Sequence, residues 1–111
     1  MKIEKNELKL SNITPVRRRL KEARLIAGIS QKKLGIAVNM KKFSASVRIN
    51  QYENGKSIPN FLTLKKIAKV LSVPVAYFYA ENNMLAKFLF LYGKINKKSR
   101  KQILQLCKDL S

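Results

Sequence analysis

Histidine and tryptophan are absent from this chain, acidic residues number only six, and Cys107 is the only cysteine. Without histidine, the common Ser-His-Asp triads and the His-based zinc hydrolase motifs cannot be assembled. The acids Glu4, Glu7, Glu22, Glu53, Glu81 and Asp109 are spread singly, with no spacing suited to a metal site or a catalytic carboxylate pair. The four glycines form no phosphate-cradling loop. An enzyme is therefore not expected, and no cofactor or small-molecule ligand is implied. One cysteine cannot make an internal disulfide, which suits a reducing interior. The plain expectation for Cys107 is a partly buried, unreactive thiol, because no histidine is present to activate it.

Long apolar runs are also missing. The longest, Val70–Ala80 and Met84–Gly93, fall short of the ~20 residues needed to span a bilayer. Met1–Asn12 is polar and charged, unlike a signal peptide. A cytoplasmic protein is expected.

What the chain has in excess is positive charge. Twenty-four Lys and Arg against six Asp and Glu give +18 over 111 residues. Self-repulsion of that size works against a compact fold and favours a polyanionic partner: DNA, RNA or an anionic surface. Apolar residues at 46% are enough for one small core with an appendage.

The hydrophobic period is helical nearly throughout. Thr14-Pro15 predicts the N-cap and first residue of a first helix, with Val16, Leu20, Ala23 and Ala27 inward and Gly28 as its stop. Ser30 caps a second helix over about Gln31–Val38, with Leu34, Ala37 and Val38 inward and Asn39 as a left-handed stop. After a basic stretch, a third helix ends near Asn54-Gly55. Pro59-Asn60 opens a fourth over Phe61–Leu71, with Leu64, Ile67, Ala68 and Leu71 inward. Val73-Pro74 opens a short fifth helix reaching Tyr79, with Tyr77, Phe78 and Tyr79 read as core. Met84, Leu85, Phe88, Leu89 and Tyr92 lie at helical spacing. Gly93–Ser99 reads as a turn, and Ser99 as the cap of a last helix carrying Ile103, Leu106, Cys107 and Leu110 on one side. Short helices with brief connections predict an all-α bundle.

Several of these signals occur together and in order. They are Gly28-Ile29-Ser30-Gln31 with Leu34, then Ile49-Asn50-Gln51-Tyr52-Glu53-Asn54-Gly55-Lys56, Pro59, and Leu64-Lys65-Lys66-Ile67-Ala68-Lys69-Val70-Leu71. Over about Val16–Tyr79 this resembles the phage Cro and repressor helix-turn-helix regulators, the xenobiotic-response-element family. The resemblance implies a five-helix lambda-repressor-like DNA-binding domain at residues 13–80. A flexible segment (1–12) would precede it and a C-terminal helical hairpin (81–111) would follow.

It also implies a division of roles. The second helix lies across the DNA backbone and the third enters the major groove. The expected base readers are Ser46, Val47 and Gln51: Gln can pair bidentately with adenine, and Val can pack on a thymine methyl. Gln31, Lys41, Lys42, Arg48, Asn50, Asn54 and Lys56 are the expected phosphate contacts, helped by backbone amides at the end of the third helix. Arg24 and Glu53 match the family's ion pair between the first helix and the end of the third, a structural role. Arg17, Arg18 and Arg19 read equally as a phosphate clamp or as a solvated helix face.

The segment between the second and third helices is about four residues longer than the family pattern, roughly one helical turn, around Met40-Lys41-Lys42-Phe43. Either the turn is wider, with Ser44 as the new cap and Phe43 tucked against the core, or the third helix starts near Lys41. A Phe toward the groove on a longer helix tips the balance to the wide turn. The hairpin either pairs with a second copy or folds back on its own core. The expected function is sequence-specific double-stranded DNA binding by a bacterial or prophage regulator, a repressor, as a homodimer on a palindromic operator. The alternative is a nonspecific nucleic-acid or protein-interaction module on the same fold.

Overall fold

The computed structural model describes residues 14–111, so the N-terminal segment expected over residues 1–12 lies outside the described residues. Six α-helices and one 3₁₀ segment follow in order: α1 (Val16–Ala27), α2 (Gln31–Ala37), α3 (Ala45–Glu53), α4 (Phe61–Leu71), the 3₁₀ segment (Val75–Tyr79), α5 (Asn83–Tyr92) and α6 (Lys97–Leu110). The architecture is the all-α, lambda-repressor-like one with a helical hairpin at its end.

Local chemistry sets most of the helix ends. Ser30 Oγ accepts from the Lys33 amide, Asn60 Oδ1 from Thr63, and Asn82 Oδ1 from Leu85, each satisfying an amide with no partner inside the helix. Gly28 stops α1 at φ 69° and Asn39 follows α2 at φ 69°, the left-handed geometry that Gly and Asn tolerate best. α1 starts one residue later than expected. Pro15 is its cap and makes no side-chain cap bond, while its carbonyl accepts from the Arg19 amide. The fifth element is 3₁₀ rather than α. The Tyr77 amide reaches back only to Pro74 and the Ala80 amide to Tyr77, which suits a five-residue connector.

The core gathers Val16, Leu20 and Ala23 of α1, Leu34 and Val38 from α2, and Ile49 and Tyr52 of α3. Leu64, Ile67, Ala68 and Leu71 of α4 join them, with Tyr77 and Phe78 closing the far side. Four expected core residues lie outside it, Phe43 of the turn before α3 and three more. Ala27, Ala37 and Tyr79 are exposed, because α1 and α2 end there and the tighter 3₁₀ winding turns Tyr79 outward.

The hairpin divides into two unlike halves. In α5, Ala86 is buried and Leu89 and Phe90 pack against the core, while Met84, Leu85, Phe88 and Leu91 face outward. Gly93 allows the end of α5 to approach the chain before the 3₁₀ segment, since a Cβ there would lie 2.7 Å from Pro74 Cδ. α6 carries no buried residue, and Cys107 is exposed rather than partly buried. Its cap is Asn96, whose Oδ1 accepts from the Ser99 amide, so Ser99 lies inside the helix it was expected to cap.

Arg19 joins the hairpin's first helix, α5, to α1. It is only 1% exposed. Its Nε donates to the Ala80 carbonyl at 2.9 Å, Nη2 to Asn83 Oδ1 at 3.2 Å, and Nη1 to Glu22 at 3.1 Å. Arg18 also reaches the Glu81 carbonyl, at 3.3 Å. Arg19 is therefore neither a phosphate clamp nor a solvated residue, but a buried strut fixing α5 to α1.

Candidate nucleic-acid interface

α2 and α3 pack closely because both residues at their crossing are small. A Cβ added to Gly35 would fall 2.6 Å from Ala45 Cβ, so only glycine fits there without a shift. The connection between them is the wide turn. Residues 38–44 are non-helical, with turns at 38–39 and 42–44, and α3 starts at Ala45. Ser44 holds the cap position without a side-chain cap bond, its hydroxyl donating back to the Lys41 carbonyl. Met40, not Phe43, anchors this turn against the core. Phe43 is 85% exposed, which corrects its expected burial. The main chain is already secured by Met40 N–H to Gly35 O and Ser44 N–H to Lys41 O, leaving Phe43 at the turn's outer edge.

On α3 the helical period separates two faces. Ala45, Ile49, Tyr52 and Glu53 are buried, and Ser46, Val47, Arg48, Asn50 and Gln51 are exposed. Val47 is 56% exposed, a branched apolar side chain left in solvent between polar neighbours. Arg48 leans along the helix toward Tyr52, with Nη2 at 3.4 Å from the phenol oxygen.

A polar chain runs from the interior to this face. Arg24 grips Glu53 with two nitrogens, Nε to Oε2 at 2.5 Å and Nη2 to Oε1 at 3.1 Å. The Arg24 side chain is 10% exposed and that of Glu53 2%. Arg24 Nη1 also donates to the Ile29 carbonyl, at 2.9 Å. Gln31 Nε2 then donates both to Glu53 Oε1 (3.0 Å) and to Asn50 Oδ1 (3.1 Å). The buried pair thus orients Gln31, and Gln31 orients Asn50. Such oriented amides lose less entropy on meeting a ligand than free ones.

α3 ends in a Schellman arrangement. The Lys56 amide donates to the Gln51 carbonyl at 2.9 Å and the Gly55 amide to Tyr52, with Gly55 at φ 78°. The Asn54 amide bonds Asn50 and the Ser57 amide bonds Gln51. All four loop amides are therefore used within the chain, so the expected backbone contribution to phosphate binding is not free here. The groups left outward are the exposed side chains of Asn54 and Lys56.

Charge on this unit is one-sided. Residues 31–56 carry Lys32, Lys33, Lys41, Lys42, Arg48 and Lys56 against Glu53, which Arg24 neutralises. Lys32 and Lys33, exposed in the first turn of α2, were not among the expected contacts. A second polar centre lies away from this face. Burial pushes the Glu22 carboxyl up, but hydrogen bonds from Tyr77 and Arg19 and the charges of Arg19 and Arg18 outweigh it, and it is held below its ordinary value. Burial and the bond to Glu22 push the Tyr77 phenol well up. Among the described residues, no group of three or more His, Cys, Asp or Glu could hold a metal ion, and no helix is long and apolar enough to cross a membrane.

A small all-α domain with a close helix pair, an outward basic face and an internally pinned second member defines a helix-turn-helix DNA-binding protein. The family comparison agrees: residues 20–78 match the helix-turn-helix model, and the chain belongs to the Cro/C1-type helix-turn-helix family of DNA-binding transcription regulators. The crystal structure of the transcriptional regulator BswR is similar, with 39% identity and a TM-score of 0.79, covering 85% of this chain and 93% of that one. No curated protein sequence matches the chain.

Proposed function

We propose that the protein is a sequence-specific transcriptional repressor that binds a palindromic operator as a homodimer, with α3 in the major groove. The observation that carries this is the outward face of α3. Ser46, Val47 and Gln51 are exposed there and offer a hydroxyl, a branched apolar group and an amide, each able to meet a base edge, while Arg48 and Asn50 flank them. Gln31, Lys41, Lys42, Arg48, Asn50, Asn54 and Lys56 hold phosphate and fix the register. Arg24 and Glu53 keep α3 at its angle. The protein is cytoplasmic and sits at the nucleoid when bound, and no catalytic role is proposed.

Residues 13–80 form the DNA-binding unit and residues 81–111 the dimerisation element. The support for a second copy is α6. Ile103, Leu104, Cys107 and Leu110 lie on one side, and with Phe88 and Tyr92 of α5 most of them border an open groove of about 470 Å³. A helix with an apolar side and no buried residue needs a partner surface. Binding two adjacent half-sites of a palindrome requires the dimer to present its two α3 helices one DNA turn apart, about 34 Å.

The test is affinity for the protein's own promoter against scrambled DNA across a salt series. A specific regulator prefers its operator by ~10³-fold or more at physiological salt. Equal affinities with the same steep salt slope would leave only charge-driven binding. Sedimentation of the full chain should give a dimer, and Leu104→Glu a monomer; an unchanged mass would remove the hairpin from the interface.

A further inference from the structure

Phe43 has no role in the fold. At 85% it is the most exposed large apolar side chain among the described residues, ahead of Met84 at 83%. Yet its backbone is fixed on both sides. Met40 packs on the core and its amide bonds Gly35 O at 2.9 Å. On the other side, the Ser44 amide bonds Lys41 O at 3.0 Å and the Ser44 carbonyl accepts from Arg48. Between these two anchors only Lys41, Lys42 and Phe43 point outward, and all three are exposed. An aromatic ring held in water by a rigid turn, beside two lysines, is built to meet something that is both anionic and locally apolar.

Its position identifies the surface. Phe43 directly precedes the cap residue of α3, one turn before Val47. The N-terminal end of a reading helix is the part that approaches base edges. DNA offers one apolar group in the major groove, the thymine 5-methyl, and Phe is among the side chains that pack on it. Lysines on the same turn meet the flanking phosphates.

Given the DNA-reading role proposed above, we infer that Phe43 is a specificity determinant, contacting a thymine methyl at the edge of the half-site while Lys41 and Lys42 hold the adjacent backbone. A protein partner with an acidic, apolar patch is the competing occupant, and the test separates them.

The full chain is used to select its preferred duplex from a random pool. Each thymine of that duplex is then replaced in turn by deoxyuridine, which lacks only the methyl. Wild type should lose about fourfold at a thymine at the edge of each half-site, apart from any thymine that Val47 reads, the loss expected for one methyl leaving an apolar contact. F43A should bind the thymine and uracil forms of that site alike, with unchanged melting because the ring is exposed. V47A should keep the discrimination there. K41A/K42A should weaken every duplex and flatten the salt slope, again keeping the discrimination. The inference is overturned if F43A discriminates as wild type does, if V47A alone abolishes the effect, or if no thymine matters. Selection yielding no preferred sequence would overturn the DNA-reading role along with it; a preferred sequence indifferent to F43A would overturn this inference alone.

Discussion

Replacing Glu53 with alanine should damage the fold more than the recognition. The Glu53 carboxylate accepts from Arg24 Nε, Arg24 Nη2 and Gln31 Nε2. Its loss leaves the Arg24 guanidinium, in a side chain only 10% exposed, with the Ile29 carbonyl as its remaining partner. Breaking one side of a buried pair costs about 3–5 kcal/mol, and the surviving bond to Ile29 argues for the lower end. In a domain of this size roughly 4–8 °C of melting temperature goes with each kcal/mol, so a loss of at least about 12 °C is expected. Circular dichroism melts of Glu53→Ala, Arg24→Met and the double variant Arg24→Met/Glu53→Leu form the assay. The double variant should be more stable than Glu53→Ala alone, because no unpaired charge stays buried. Well below its melting point, Glu53→Ala should keep most of its sequence preference. An unchanged melt, or a double variant less stable than either single, would refute the reasoning.

Gly35→Ala should destabilise by about 1–3 kcal/mol in urea unfolding despite alanine's better helix propensity, because its Cβ meets Ala45 Cβ at 2.6 Å; a stabilised variant would show that α2 and α3 can separate freely. Tyr77 gives a pH dependence. Its phenol is pushed up in the fold, so its contribution is complete below about pH 10, where the unfolded phenol is also protonated, and is lost as pH rises above it. Tyr77→Phe should therefore lose stability less steeply than wild type above pH 10 in denaturant titrations. Arg19→Met should lower the melting point by unpinning α5 from Ala80 and Asn83, and hydrogen exchange should then rise first in α5; uniform exchange across the chain would contradict the strut role.

The parts of the fold legible in sequence are those set by neighbours. Ser30, Asn60 and Gly28 act on the helices they adjoin, and the stripes Val16-Leu20-Ala23 and Leu64-Ile67-Ala68-Leu71 follow from period alone. Arg19 was illegible because its partners Ala80 and Asn83 lie more than sixty residues away, and inside an Arg-Arg-Arg run nothing local sets it apart. Asn96 and Ser99 are both good cap residues, and only the direction of their hydrogen bond decides between them. Phe43 was read inward because apolar residues usually are. Met40 instead filled that place, and nothing in the pattern distinguishes the two. At the interface, the exposed side of α3 followed from the buried period of Ile49 and Tyr52. The Gln31 bridge to Asn50 and the internal use of the loop amides needed three dimensions.

The most direct measurement of the central claim is the ratio of operator to scrambled-DNA affinity for Gln51→Ala beside Lys56→Ala. The reading face predicts that Gln51→Ala lowers this ratio by ~5- to 150-fold for each half-site, the value of one good base contact. Lys56→Ala should weaken both duplexes equally, reduce the salt slope by about one per subunit, so about two for the dimer, and leave the ratio unchanged. If the two variants change the ratio alike, α3 does not divide reading from holding, and the assignment of Gln51 fails.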